Sequence, residues 1–164
     1  MKTLQITRIK PNPAGKDRSQ TGGTSASQLA GEWVDFKNIG LTAVNLTGVD
    51  LYHLAYAPGA THGQWDKVTG FSGALPAGHT VRVHSGSGPD NVIRPEDRAG
   101  AEYHVFTGRN YVWNNSQGDS PTLFDIGQKQ NIDQASYDPY PPEGQILIRS
   151  GNKLVPIAVP AYTR

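Results

Sequence analysis

Apolar residues along this chain recur with a period of two, in short runs broken by Gly, Pro and Asn, and almost nowhere at helical spacing. Leu4-Gln5-Ile6-Thr7 alternates and stops at Pro11-Asn12-Pro13, where two prolines end a strand. A polar loop rich in Gly, Ser and Thr runs from Gly15 to Ser27. From Glu32 to Asn38 the alternation is clean, with Val34 and Phe36 on one face and Asp35 and Lys37 on the other. Val44 to Tyr52 reads as extended and bent at Gly48, and Trp65 to Phe71 as a weaker strand. Leu75-Pro76-Ala77-Gly78 turns the chain into Thr80 to His84, with Val81 and Val83 inward. Pro95-Glu96-Asp97-Arg98 suits one helical turn, since Pro fits the first helical position.

Three further strands are expected at Tyr103–Phe106, Tyr111–Trp113 and Thr122–Ile126, the last turning at Gly127-Gln128 into Gln130–Asp133. Asp138-Pro139-Tyr140-Pro141-Pro142 cannot be a central strand. Beyond it, Ile146–Arg149 and Leu154–Ile157 flank Ser150-Gly151-Asn152 as a hairpin. Ile146, Ile148, Val155, Ile157 and Val159 are too many apolar residues for a solvated tail, so the segment is expected to dock, as an edge hairpin or as a strand added to a neighbouring molecule. The expected fold is all-β, an antiparallel sandwich of seven to ten strands with almost no helix. Val34, Phe36, Leu46, Val81, Val83 and Leu123 should share one core. Residues 1–137 form the sandwich domain in this reading, and residues 138–164 an extension packed on its edge.

Several motifs resemble, in order, those of the lamin tail domain family. They are the opening strand ending in Pro11-Asn12-Pro13, then Gly31-Glu32-Trp33-Val34-Asp35-Phe36-Lys37-Asn38, and Val44-Asn45-Leu46-Thr47-Gly48. Leu75-Pro76-Ala77-Gly78 with Val81-Arg82-Val83 follows, and Tyr111 to Asp119 with Leu123-Phe124-Asp125 completes the set. The resemblance covers residues 1 to about 137 and implies an immunoglobulin-like sandwich of the type also found in bacterial proteins. Two stretches, Pro58 to Gln64 and Gly86 to Gly100, are longer than a minimal domain of this kind needs. Such sandwiches host many unrelated tasks, so the resemblance fixes no chemistry.

Composition narrows the function classes. Nineteen glycines and twelve prolines among 164 residues mark a turn-rich chain, and the absence of cysteine excludes disulfides and thiolate metal sites. A net charge of +1 is not that of a dedicated nucleic-acid binder. The one cationic concentration, Lys2, Arg8, Lys10, Lys16 and Arg18, allows weak nucleic-acid contact at most. No apolar run is long enough for a membrane-spanning helix, and Met1 to Arg8 has no apolar signal-peptide core. A full-length chain would therefore be cytoplasmic, and a processed or excised domain extracellular.

Candidate chemistry is sparse. Among His53, His62, His79, His84 and His104, the closest pair in sequence lies five apart, which on a strand puts the rings on opposite faces and argues against zinc. His84 beside Ser85 lacks a nucleophile elbow, and Gly86-Ser87-Gly88-Pro89-Asp90 lacks the Lys and Ser/Thr of a phosphate loop. Asp90, Asp97 or Asp119 could join a calcium site, although no calcium-loop motif is present. Glu32 is expected to accept backbone or Asn38 hydrogen bonds, and Trp113-Asn114-Asn115 to supply a core indole and a turn. With no nucleotide fingerprint, no cofactor is implied.

The favoured function is a non-enzymatic interaction module for a protein or polysaccharide partner. Its expected surface is the exposed side of the Trp33 strand, with Tyr52 and Trp65. The alternatives are an accessory domain of a hydrolase using His84, His104 and nearby carboxylates, and a calcium-stabilised surface domain.

Overall fold

The structure is a computed structural model, and it describes residues 2–16 and 24–157. Its strands are β1 (Leu4–Lys10), β2 (Trp33–Asn38), β3 (Val44–Asn45), β4 (Val49–Ala55), β5 (Gln64–Gly70), β6 (Ala74–Leu75), β7 (Thr80–His84), β8 (Tyr103–Phe106), β9 (Thr122–Asp125), β10 (Gln130–Gln134), β11 (Leu147–Ser150) and β12 (Lys153–Pro156). Two short helices, α1 (Ala26–Ala30) and α2 (Pro95–Arg98), join them. Among the described residues the strands number twelve, above the expected seven to ten, because bends cut long extended runs in two. Gly48 is one such bend: it adopts φ +86°, open to glycine at no steric cost, and separates β3 from β4.

Two sheets face each other. The larger has the order β12-β11-β1-β2-β7-β8, the smaller β10-β9-β4-β5, and β3-β6 forms a separate two-stranded ribbon. Within these sheets the strands pair antiparallel except β7 with β8, which run parallel because residues 85–102 cross over between them. Alternation sets the inner faces. In the larger sheet Ile9, Val34, Val83 and Val105 form one cross-strand row, and Ile6, Phe36 and Val81 another. All six core residues expected from the sequence are buried.

Three local expectations are corrected. Tyr111–Trp113 is irregular rather than a strand, because Glu32 takes the N–H groups of Val112 and Trp113 that a sheet ladder would have used. The polar loop from Gly15 to Ser27 gives way to helix at its end: Ser25 accepts from the Gln28 N–H and the Gln28 side chain answers to the Ser25 N–H, a capping box that starts α1. The C-terminal hairpin does extend the sheet, with β11 pairing to β1, but in the opposite facing. Leu147 and Leu154 point inward, each 1% exposed, while Ile148 and Ile157 are exposed. Val159 lies outside the described residues.

Only Arg8 and Ile9 of β1 reach β11. Beyond them an ion pair substitutes for the ladder: Asp133 accepts the Ile6 N–H at 2.7 Å, Arg149 donates to the Ile6 carbonyl at 2.7 Å, and the two side chains join at 2.8 Å. The backbone of an inner strand is thereby satisfied where its neighbour ends.

Candidate functional site

The two sheets turn very different outer faces outward. On the larger one, register aligns Arg8, Asp35, Arg82 and His104 in one row and Lys10, Trp33, His84 and Phe106 in the next. This is the face on which the sequence placed an exposed Trp33. Instead Trp33 is fully buried, and so are Asp35, Arg82 and His84. The segment Gly86 to Gly100, noted above for its length, folds over them with α2. Arg82 donates to the carbonyls of Asp97 at 3.0 Å and Ala99 at 2.7 Å, and Arg8 to that of Gly100 at 2.9 Å. The Asp97 carboxylate accepts from the Trp33 indole N–H at 3.0 Å and from Lys10 at 2.6 Å.

Beneath this cover, Arg82 forks onto both oxygens of Asp35 at 2.7 and 2.8 Å, and its guanidinium lies 3.6 Å from the Trp33 ring centroid. Parallel N–H bonds to one carboxylate and stacking on an indole are what make arginine fit such a site. Alternation correctly separated Asp35 from Val34, but it could not say that the polar face would also be covered. Trp33 is therefore withdrawn as a surface residue.

His84 and His104 come together here, with His84 Nε2 2.8 Å from His104 Nδ1. A carbonyl accepts only, so His84 Nδ1, 2.7 Å from the Ala30 oxygen, carries its proton there. Burial foremost depresses the His84 pKa to about 4, with the charges of His104 and Arg82 adding to the effect. Burial lowers His104 too. Both rings are held neutral.

Glu32, at the start of β2, is a second buried centre. It accepts from Ser85, from Val112 N–H at 2.7 Å, from Trp113 N–H at 3.2 Å and from Lys16 at 2.6 Å. Burial raises its pKa, opposed by Lys16 and these hydrogen bonds. The expected backbone bonds are there, while Asn38 donates instead to the carbonyls of Thr42 and Leu75. Lys16 also donates to the carbonyls of Pro11 and Trp113. Trp113 is buried with its ring against His53, whose Nδ1 lies 2.9 Å from Asp119.

The cationic residues do not gather into one open patch. Lys2 donates to Asn45, while Arg8, Lys10 and Lys16 are each paired with a carboxylate, Asp35, Asp97 and Glu32 respectively. Arg18 lies outside the described residues. Of the three calcium candidates, Asp97 and Asp119 are taken up by the partners just named, and Asp90 faces Arg98. Among the described residues, no three His, Asp or Glu side chains stand together as a metal site would require.

The outer face of the smaller sheet is more open, with Trp65 exposed, Tyr52 and Phe124 half-buried and Thr122 buried between them. Leu51 and Leu123 turn into the core, so Tyr52 on β4 and Thr122 and Phe124 on β9 turn out. Trp65 on β5 is paired with Leu54 and is 51% exposed. Tyr52 and Phe124 meet edge to face at 6.0 Å, and with Trp65, Thr122 and Asn131 they line a cleft of about 240 Å³. The structure thus brings two of the three expected surface residues, Tyr52 and Trp65, to one site. Phe124, Thr122 and Asn131 were not singled out from the sequence, yet the alternation that sends Leu123 inward already sends Thr122 and Phe124 outward. Among the described residues, no helix is long and apolar enough to cross a membrane.

The family model described as Lamin Tail Domain matches residues 2–139. No curated protein matches the chain.

Proposed function

Because the chain belongs to the lamin tail domain family, an immunoglobulin-like fold, we propose that it is a non-enzymatic interaction module. Its contact surface is the outer face of the four-stranded sheet, centred on Tyr52, Trp65 and Phe124. The observation that carries this reading is the contrast in coverage: Trp65 stands 51% exposed beside a cleft, while Trp33, Asp35, Arg82 and His84 on the other outer face are buried. An exposed indole beside two half-buried rings at a concavity is the kind of aromatic surface that dominates binding energy at interfaces. The partner is a protein or a polymer.

The test is retention of the purified chain on immobilised polysaccharides and immobilised protein extract. Wild type is retained on at least one matrix, and the Tyr52→Ala/Trp65→Ala double variant, folded by circular dichroism, is not. Retention unchanged in that variant overturns the assignment of the face. Ester, phosphate and glycoside substrates, with added calcium, magnesium or zinc, give no turnover.

One observation favours a second reading, acid–base chemistry at the His84–His104 contact of 2.8 Å. Against it, the His84 ring is buried and its Nδ1 proton is committed to Ala30. Turnover that disappears in His84→Ala would establish that reading instead.

A further inference from the structure

Resting on the contact face just described, we propose that the ligand of the Tyr52–Trp65–Phe124 cleft is an uncharged polysaccharide chain lying across strands β5, β4 and β9. Three features of the face select that class.

The first is the spacing of the rings. Trp65, Tyr52 and Phe124 come from three consecutive strands of one sheet. Neighbouring strands lie about 4.8 Å apart, and Trp65 pairs with Leu54 while Phe124 pairs with Asp50 further along β4, so the set runs diagonally over roughly 16 Å, the length of several sugar rings in an extended chain. A cleft of about 240 Å³ admits part of such a chain rather than a whole small molecule, since sites that engulf a drug-sized ligand run from about 300 Å³ upward.

The second is the mixture of groups. A pyranose ring presents apolar C–H faces and a periphery of hydroxyls. The cleft offers aromatic surface flanked by the exposed Asn131 amide, whose N–H groups donate and whose carbonyl accepts. A purely apolar partner helix would leave these polar groups without water or partner, at a cost.

The third is charge. Stacked nucleobases would also suit aromatic platforms, but single-stranded nucleic acid needs a cationic track for its phosphates. Here Lys67, opposite Tyr52 on β5, lies 3.4 Å from Asp50. Arg109, on the far side of the same strand, is paired with Asp66 at 2.9 Å. Arg8, Lys10 and Lys16 of the amino-terminal region are paired with Asp35, Asp97 and Glu32, away from this sheet. A face whose charges are balanced in pairs favours an uncharged ligand over a polyanion.

Affinity electrophoresis of the purified chain tests the inference. The gels contain a soluble uncharged glucan, a soluble mannan, alginate as a polyanionic glycan, or a single-stranded oligonucleotide. At least one uncharged polysaccharide retards wild type. Trp65→Ala weakens that retardation at least tenfold, whereas Lys153→Ala, on the far hairpin, leaves it unchanged. Retardation by alginate or oligonucleotide alone overturns the inference, as does glucan or mannan retardation that survives both Trp65→Ala and Tyr52→Ala. If no polysaccharide retards the chain while a protein partner is held in a Trp65-dependent way, the inference falls and the contact face stands. If nothing depends on Trp65, both fall.

Discussion

Trp33 and Trp65 sit on the outer faces of opposite sheets, and their fates differ completely. Around Trp33 the loop from Gly86 to Gly100 builds a second interior made of charge: Arg82 is held between Asp35 and an indole, and Arg8, Lys10, Trp33 and Arg82 all donate into the cover. Around Trp65 the sheet is far less covered, and the indole stands 51% exposed at the edge of an aromatic cleft. One tryptophan holds the protein together, and the other is available to something else. Position on a strand decides which way a side chain points, but the presence or absence of a covering loop decides what it does there.

The sharpest way to break the contrast is Asp35→Ala. It leaves the Arg82 guanidinium buried without its carboxylate, and losing one partner of a buried pair costs about 3–5 kcal/mol. Urea unfolding should show that loss, or no cooperative transition at all. Next comes the pair of tryptophans themselves. Trp33→Ala should cost about 3–5 kcal/mol through lost packing, whereas Trp65→Ala should change stability by less than about 1 kcal/mol, as surface substitutions do. Comparable losses for both would erase the distinction between a sealed and an open face.

A third test uses pH. The unfolded chain takes up a proton on His84 near the ordinary imidazole value of about 6.5, the folded chain only near 4. The stability held by the neutral ring is therefore complete above about pH 6.5 and is lost progressively as the pH falls to about 4, a change on the order of 3 kcal/mol. Glu32, whose carboxyl pKa burial raises, works in the opposite direction, because the folded state takes up its proton first. Unfolding free energies from pH 7.5 to 4 for wild type and His84→Gln separate the two, and the decline should flatten in the variant. The smallest effect is expected at the surface: the Lys153–Asp138 pair joins two exposed side chains at 2.5 Å, and Asp138→Ala should cost no more than about 1 kcal/mol.

These contrasts also explain what the sequence disclosed. Alternation was enough to place Val34, Phe36, Val81, Val83 and Leu123 in the core, because side-chain period and strand period are the same property. The sequence groups Tyr52 and Trp65 with Trp33 instead, although they lie on the other sheet. Alternation failed at Trp33, since whether a polar face stays wet depends on where a loop fifty residues and more downstream comes to rest. It failed again at Tyr111–Trp113, whose composition is that of a strand. There a single buried carboxylate, Glu32, claims the backbone donors from far away in sequence. In the terminal hairpin, apolar residues occur on both sides of the alternation, so period alone could not choose Leu147 and Leu154 over Ile148 and Ile157.

The position of β1 bears on how the protein is made. The first of the described strands lies in the interior of its sheet, and the partner that closes its second edge comes late: Arg149 and Ile6 bond across 143 residues. During synthesis β1 can pair with β2 early, but its other edge stays open until β11 has emerged. Pairings this distant in sequence make folding slow, and an open interior edge is a template for the wrong strand. The Asp133–Arg149 clasp at Ile6 therefore marks the end of a vulnerable interval, and variants that loosen it should lower the yield of soluble protein during expression more than they lower the stability of molecules already folded.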